Sequence, residues 1–297
     1  MGNLNAVPFV GGQQHNRQIP LEVGLLVDGP FDRTALDAVG DGIGLGFDDT
    51  DIVKAGYDPY AHRRFLVDYF TGAYDASPAR GRPFGVNLKT GDARISGTLA
   101  SLAGLEEAIE HNDDEAIGRS IDLILLLHSM IMSLGGIPLL YYGDEIGMLN
   151  DFSYMEDEAR AHDTRWIHRP VIDWNKSELR HRHGTPEQRL FEGIARMSVV
   201  RKTTAAFADF NNRELIATGN DHLFAFMRSN PVDANDNVLV IGNFDGAPQS
   251  LDLADLGNRS QFQHGRLRDL YSGEAPSLFK DHLVIPPRRF YWLVDQG

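Results

Sequence analysis

The chain has 297 residues, 42% of them hydrophobic, enough to build a sizeable core in one large domain or two ordinary ones. A formal charge of −14 and a pI near 5.1 argue against nucleic acid or anionic membrane as a partner, since either demands basic patches against phosphate, and favour a neutral ligand. Without cysteine there is no disulfide framework or thiolate metal site; with neither an apolar run of roughly 20 residues nor a signal-type N-terminus, the expected compartment is cytoplasmic.

Residues 1–40 name no fold. Residues 11–16 read as loop, 21–27 as a short strand and Asp28-Gly29-Pro30 as a turn, so the segment stays unassigned. Residues 40–49 form a glycine-rich acidic loop. It has no Gly-x-Gly-x-x-Gly opening a helix and no Lys-Ser/Thr pair, so a plain flexible turn is favoured over a phosphate-cradling loop. Phe65, Leu66 and Tyr69 recur in helical rhythm among His62, Arg63, Arg64 and Asp68, predicting an amphipathic helix over 61–69. Residues 71–98 read as one long loop, a length uncommon unless it serves a site or is disordered. Helices are predicted over 99–109 and 117–134. The second is apolar nearly all round, and Asp122 inside it marks a core helix rather than a membrane span.

Gly135-Gly136 then leads into Ile137-Pro138-Leu139-Leu140-Tyr141-Tyr142, an apolar run that predicts a buried parallel strand with Pro138 near its start. Gly143 frees the backbone to turn just before Asp144 and Glu145, so the strand end reads as the lip of a site. A helix feeding such a strand is half of a βαβ unit. After a long loop over 148–176, the spacing of Leu190, Ile194 and Met197 predicts a helix over 186–202. Past Phe210, short runs at 215–218, 223–228, 238–244, 249–253, 266–271 and 290–294 are separated by Asn-Asp, Asp-Gly and Ser-Gly turns. They predict an antiparallel β-sandwich.

Three stretches in this order carry a resemblance: Arg80 through Thr98, Gly135 through Glu145, and Asp163-Thr164-Arg165-Trp166-Ile167-His168-Arg169-Pro170. Together they resemble the C-terminal half of glycoside hydrolase family 13, the α-amylase family, and the first looks like the sucrose-contacting loop of its amylosucrase subfamily. The resemblance implies an α/β fold: the C-terminal part of a (β/α)8 TIM barrel over 41–204, then a β-sandwich over 205–297. It also implies a glucosyltransferase or hydrolase acting on sucrose or an α-glucan by retaining double displacement. In that mechanism an Asp nucleophile and a Glu acid flank the bond, and a third carboxylate stabilises the transition state.

By the same resemblance the third carboxylate falls on Asp41, with Gly40 and Gly42 where the family has a His and a second Asp. Asp37, in Leu36-Asp37-Ala38-Val39, echoes the nucleophile motif, with Ala35 in place of its Arg. Asn87 and Arg94 are expected to contact the fructosyl side of sucrose, although Gly85 replaces a polar residue there. Arg165 is expected to close the glucosyl pocket with an Asp from an early strand. Asp49 and Arg63 match polar positions at the pocket rim, the alternative for that pair being a surface salt bridge. No cofactor or metal is expected: His181 with His183, and His162 with His168, lack the i, i+4 spacing of zinc hydrolases.

At about 30 residues per βα unit, the chain before residue 142 holds at most about four or five units, so a closed barrel is not expected. The strands bearing the acid and the Asp partner of Arg165 have no counterpart. The expectation is therefore a truncated enzyme, inactive by itself, whose open edge invites self-association or pairing with a missing N-terminal half. The alternatives are a non-catalytic carbohydrate-binding or regulatory protein using Asn87, Arg94 and Arg165, and a truncated reading frame with no function of its own.

Overall fold

The computed structural model describes residues 49–54, 56–230, 232–233, 236–256, 262 and 266–296. These form two compact units, one of residues 49–124 with 139–194, the other of 125–138 with 195–296.

The first unit opens with helices α1 (Asp49–Lys54) and α2 (Pro59–Phe70). Asp58 caps α2 by accepting from the Ala61 N–H at 2.7 Å, and Pro59 supplies a first helical residue that needs no donor. The stretch expected to be one loop holds a two-stranded antiparallel hairpin, β1 (Arg82–Phe84) with β2 (Arg94–Ser96). Strands of three residues are too short to leave an alternation in the sequence. Helices α3 (Leu99–Leu102) and α4 (Leu105–Glu110) replace the single helix expected over 99–109. The break is Gly104 at φ 89°, where a Cβ would meet the Pro78 ring at 2.8 Å. Asn150 ties these pieces together: its amide donates to the Arg80 carbonyl at 2.5 Å and its side-chain oxygen accepts from the Thr98 N–H at 2.9 Å. Helix α5 (Asp114–Leu134) starts in this unit, 3₁₀ turns follow at Asp144–Ile146, Ser153–Glu156 and Thr164–His168, and α6 (Trp174–Ser177) precedes α7 (Pro186–Thr203).

The expected buried strand is absent. Residues 137–142 form no strand, and Ile137 and Leu139 are 78% and 80% exposed. Every strand pair among the described residues is antiparallel, so no barrel wall is present there. An apolar run becomes a buried strand only when neighbouring strands take its backbone groups and helices cover its faces.

The second unit is the expected sandwich. One sheet has the order β3 (Arg213–Ile216), β4 (Leu223–Arg228), β5 (Val238–Asn243), β10 (Phe290–Asp295), β7 (Leu267–Asp269); the other is β6 (Gln249–Asp252), β9 (His282–Ile285), β8 (Ser277–Phe279). Strands β8 and β9 were missed, although Leu283 and Ile285 alternate inward before Pro286. Leu223, Ala225, Met227, Leu239, Ile241 and Leu293 of the larger sheet meet Leu251, Leu283 and Ile285 of the smaller in one core. Each such aliphatic side chain fully buried contributes about 1.5–3 kcal/mol.

Strand β5 is buried on both faces. Its outer face lies under the end of α5, where Gly242 leaves so little room that a Cβ would be 2.7 Å from Leu126 and 2.8 Å from Met130. By length and composition α5 is apolar enough to cross a membrane; half of its most apolar window is buried in the fold. Its last turn is held by arginines. Arg228, fully buried, donates to the carbonyls of Ser133 and Asp209 and, at 2.6 Å, to Asn212 Oδ1, while Arg201 donates to the carbonyls of Met132 and Gly136. Cations at these carbonyls complement the negative end of the helix dipole.

Candidate functional site

On β1, alternate residues Arg82 and Phe84 share a face, and the register sets Ser96 opposite Arg82 and Arg94 opposite Phe84. The Thr164–His168 turn packs on this hairpin: Thr164 Oγ1 donates to the Pro83 carbonyl at 3.2 Å, and the Arg165 guanidinium lies 4.7 Å above the Phe84 ring. Arg82 in turn sits 5.5 Å from the centre of the Phe152 ring. In the loop joining the strands, the Asn87 N–H donates to the Asp92 carbonyl at 2.8 Å and its side-chain oxygen accepts from the Lys89 N–H at 3.0 Å. That turn fixes the backbone of Asn87 and leaves its side-chain NH₂ as the donor it can offer. Three of the expected contact residues, Asn87, Arg94 and Arg165, are thus gathered on one hairpin and the turn against it.

Arg165 does not pair with an aspartate from an early strand. Asp163, two residues before it, accepts from its Nε at 2.9 Å, its Nη2 at 2.8 Å and its backbone N–H at 3.0 Å. This fork of donors holds the Asp163 carboxyl down at about 2 and raises the Arg165 guanidinium in turn. Asp49 and Arg63 form an ion pair, with Arg63 mostly covered and Asp49 mostly exposed. The next residue, Arg64, faces the hairpin loop, where a Cβ on Gly91 would lie 3.5 Å from its Nη2. Asp37 and Asp41 lie outside the described residues. Among the described residues no three His, Asp or Glu side chains cluster as a metal would need.

The lip after residue 142 is built on two left-handed glycines. Gly143 at φ 91° and Gly147 at φ 61° bracket the Asp144–Ile146 turn, and a Cβ on Gly143 would be 2.7 Å from Met148. Glu145 is spent locally, accepting from the Gly143 N–H at 2.8 Å. Asp144 is pushed up to about 6, first by burial and then by the neighbouring Glu145 charge. The Tyr141 ring lies 4.8 Å from that of Tyr142 and meets His168 edge-on at 6.1 Å; the Tyr142 hydroxyl donates to the Pro170 carbonyl at 3.2 Å. Burial, then the charge of Arg169, holds the His168 imidazole below its usual range. The lip therefore offers a carboxyl that exchanges a proton near neutrality beside exposed phenol rings, which suits acid–base work on a hydroxyl.

No family model matches the chain. A trehalose synthase/amylase of Mycobacterium tuberculosis, in two strains, is 29% identical over 192 residues, 57% of this chain and 31% of the relative. That similarity supports the α-amylase family. It does not single out the amylosucrase type, and the match spans about a third of the curated relative's length. Among solved structures, AmyP in complex with maltose matches with a TM-score of 0.47 and 16% identity over 60% of this chain and 35% of that one. Pullulanase from Bacillus acidopullulyticus gives 0.45 and 16% over 67% and 23%, and Bacillus licheniformis trehalose-6-phosphate hydrolase 0.42 and 19% over 59% and 39%. At such scores the likeness assigns neither fold nor ligand.

Beside the expected Asn87, Arg94 and Arg165, the hairpin and its turn bring together Arg82, Phe84 and Asp163, which the resemblance does not single out. Cross-strand facing leaves no signal in the sequence, so these three become visible only once β1 and β2 pair and the Asp163–Arg165 fork closes.

Proposed function

We propose that the chain is the sugar-gripping C-terminal part of an amylosucrase-like enzyme of the α-amylase family, a glucosyltransferase or glycoside hydrolase acting on sucrose or an α-glucan. By itself it holds substrate without cleaving it. Asn87 and Arg94 contact the acceptor or fructosyl side, Arg165 the glucosyl side, and Asp49 with Arg63 stiffens the rim. Asp41 is the transition-state stabiliser and Asp37 the echo of a nucleophile.

The observation that carries this reading is the exposure of residues 137–142, a sequence fit for a barrel interior standing uncovered beside the lip. Retaining cleavage needs two carboxyl groups about 5–5.5 Å apart, one of them free to attack. Of the described carboxylates near the lip, Asp163 is clamped by Arg165 and Glu145 by its own turn, which leaves Asp144 as a proton-exchanging group without a second carboxylate to attack. Completion by an N-terminal barrel half, supplied separately or by self-association, follows from the same reading.

The test is calorimetry of the whole chain with sucrose and maltotriose, alongside an assay for released glucose and fructose. Binding that Arg165→Ala weakens about tenfold, with no release of either sugar, supports the reading. Release of sugar by the chain alone overturns the claim of inactivity, and absence of binding to both sugars overturns the assignment of the face.

A further inference from the structure

We propose that the face shared by Arg82, Phe84 and Arg94, with Arg165 stacked on it, recognises a phosphoryl group, so that the ligand taken there is a phosphorylated sugar. The sugar part rests on the reading above; the phosphoryl part stands on the hairpin alone.

On a chain of formal charge −14, three arginines are carried on or against one two-stranded hairpin. Side chains of β1 and β2 on one face, directly or diagonally opposed, are roughly 4.5–8 Å apart at their bases, within reach of one tetrahedral anion for residues as long as arginine. Two of the three are pre-oriented. The Arg82 and Arg165 guanidiniums lie over the rings of Phe152 and Phe84, 5.5 and 4.7 Å from their centres, cation–π contacts that limit where each side chain can go. Arg82 makes no ion pair among the described residues, whereas Arg165 gives one edge to Asp163 and keeps Nη1. Among the described residues of the hairpin and the turn against it, the carboxylates are Asp163, whose charge Arg165 already matches, and Asp92 in the hairpin loop. Planar forks held in place are the geometry that binds phosphate bidentately, and a neutral hydroxyl uses little of it.

The experiment titrates the whole chain with glucose 6-phosphate, glucose and inorganic phosphate, followed by calorimetry and phosphorus NMR. Glucose 6-phosphate is expected to bind at least about tenfold more tightly than glucose, Arg82→Gln to remove that difference, and Arg82→Lys to restore part of it. Inorganic phosphate competing at equal affinity assigns the same face to free phosphate and upholds the phosphoryl contact. Equal affinity for glucose and glucose 6-phosphate, or an Arg82→Gln variant of unchanged melting temperature that binds both as before, overturns the proposal. Sucrose and maltotriose binding, measured beside it, separates the two readings: if they bind and phosphate has no effect, only the phosphoryl claim fails.

Discussion

Asp144 carries a titration that reaches beyond the lip. Its carboxyl, 3.8 when free, sits at about 6 in the fold, so the folded chain binds a proton more tightly than the unfolded one. Stability contributed there is greatest below about 4 and is lost as pH rises through the window from 3.8 to about 6. Glu106, raised by its own burial, adds the same sign. Replacing Asp144 by Asn removes its share: melting temperature against pH should lose a fall of a few degrees across that window relative to the parent. A parallel pair of curves would show that the carboxyl is not perturbed. Asp163 has the opposite sense, since a carboxyl held at about 2 favours the fold above 3.8 and withdraws that support as pH drops toward 2.

At the level of elements, what could be read in advance was what each segment carries within itself. Strands β4, β5 and β10 announce themselves by apolar runs between turn dipeptides, and α5 and α7 by periodicity, because those signals are local. Residues 137–142 were misjudged for the complementary reason: their composition describes the neighbours they are suited to, and burial depends on neighbours being there. The hairpin escaped because cross-strand register, which puts Arg94 opposite Phe84, leaves no mark along either three-residue strand. The Arg63–Asp49 ion pair is the alternative the sequence offered for those two residues, while the Asp163 fork needed coordinates. Gly242 illustrates an element-level constraint also invisible in sequence, a strand and helix in near backbone contact. Gly242→Ala, overpacking Leu126 and Met130, should cost about 1–3 kcal/mol, read as a lower urea midpoint with unchanged slope. A neutral substitution there would mean that α5 does not lie against β5.

For the molecule as a whole, the uncovered apolar stretch decides behaviour in solution. Leu139, 80% exposed, leads into Leu140, Tyr141 and Tyr142, all of them exposed, a patch of the kind that drives association. Sedimentation at tens of micromolar is expected to show concentration-dependent species, and Leu139→Lys, within about 0.5 kcal/mol of neutral for a surface site, should return them to monomer. A parent chain already monomeric at that concentration would remove this account. The arginine grip on the end of α5 has a further consequence under strong acid. Arg228 engages carbonyl and amide oxygens, none of which takes up a proton there, so the junction beneath the sandwich keeps its bonds. The Arg165 clamp has no such immunity once Asp163 is neutralised. Acidification should therefore loosen the hairpin turn while the sandwich is still intact, giving two separate transitions in place of one.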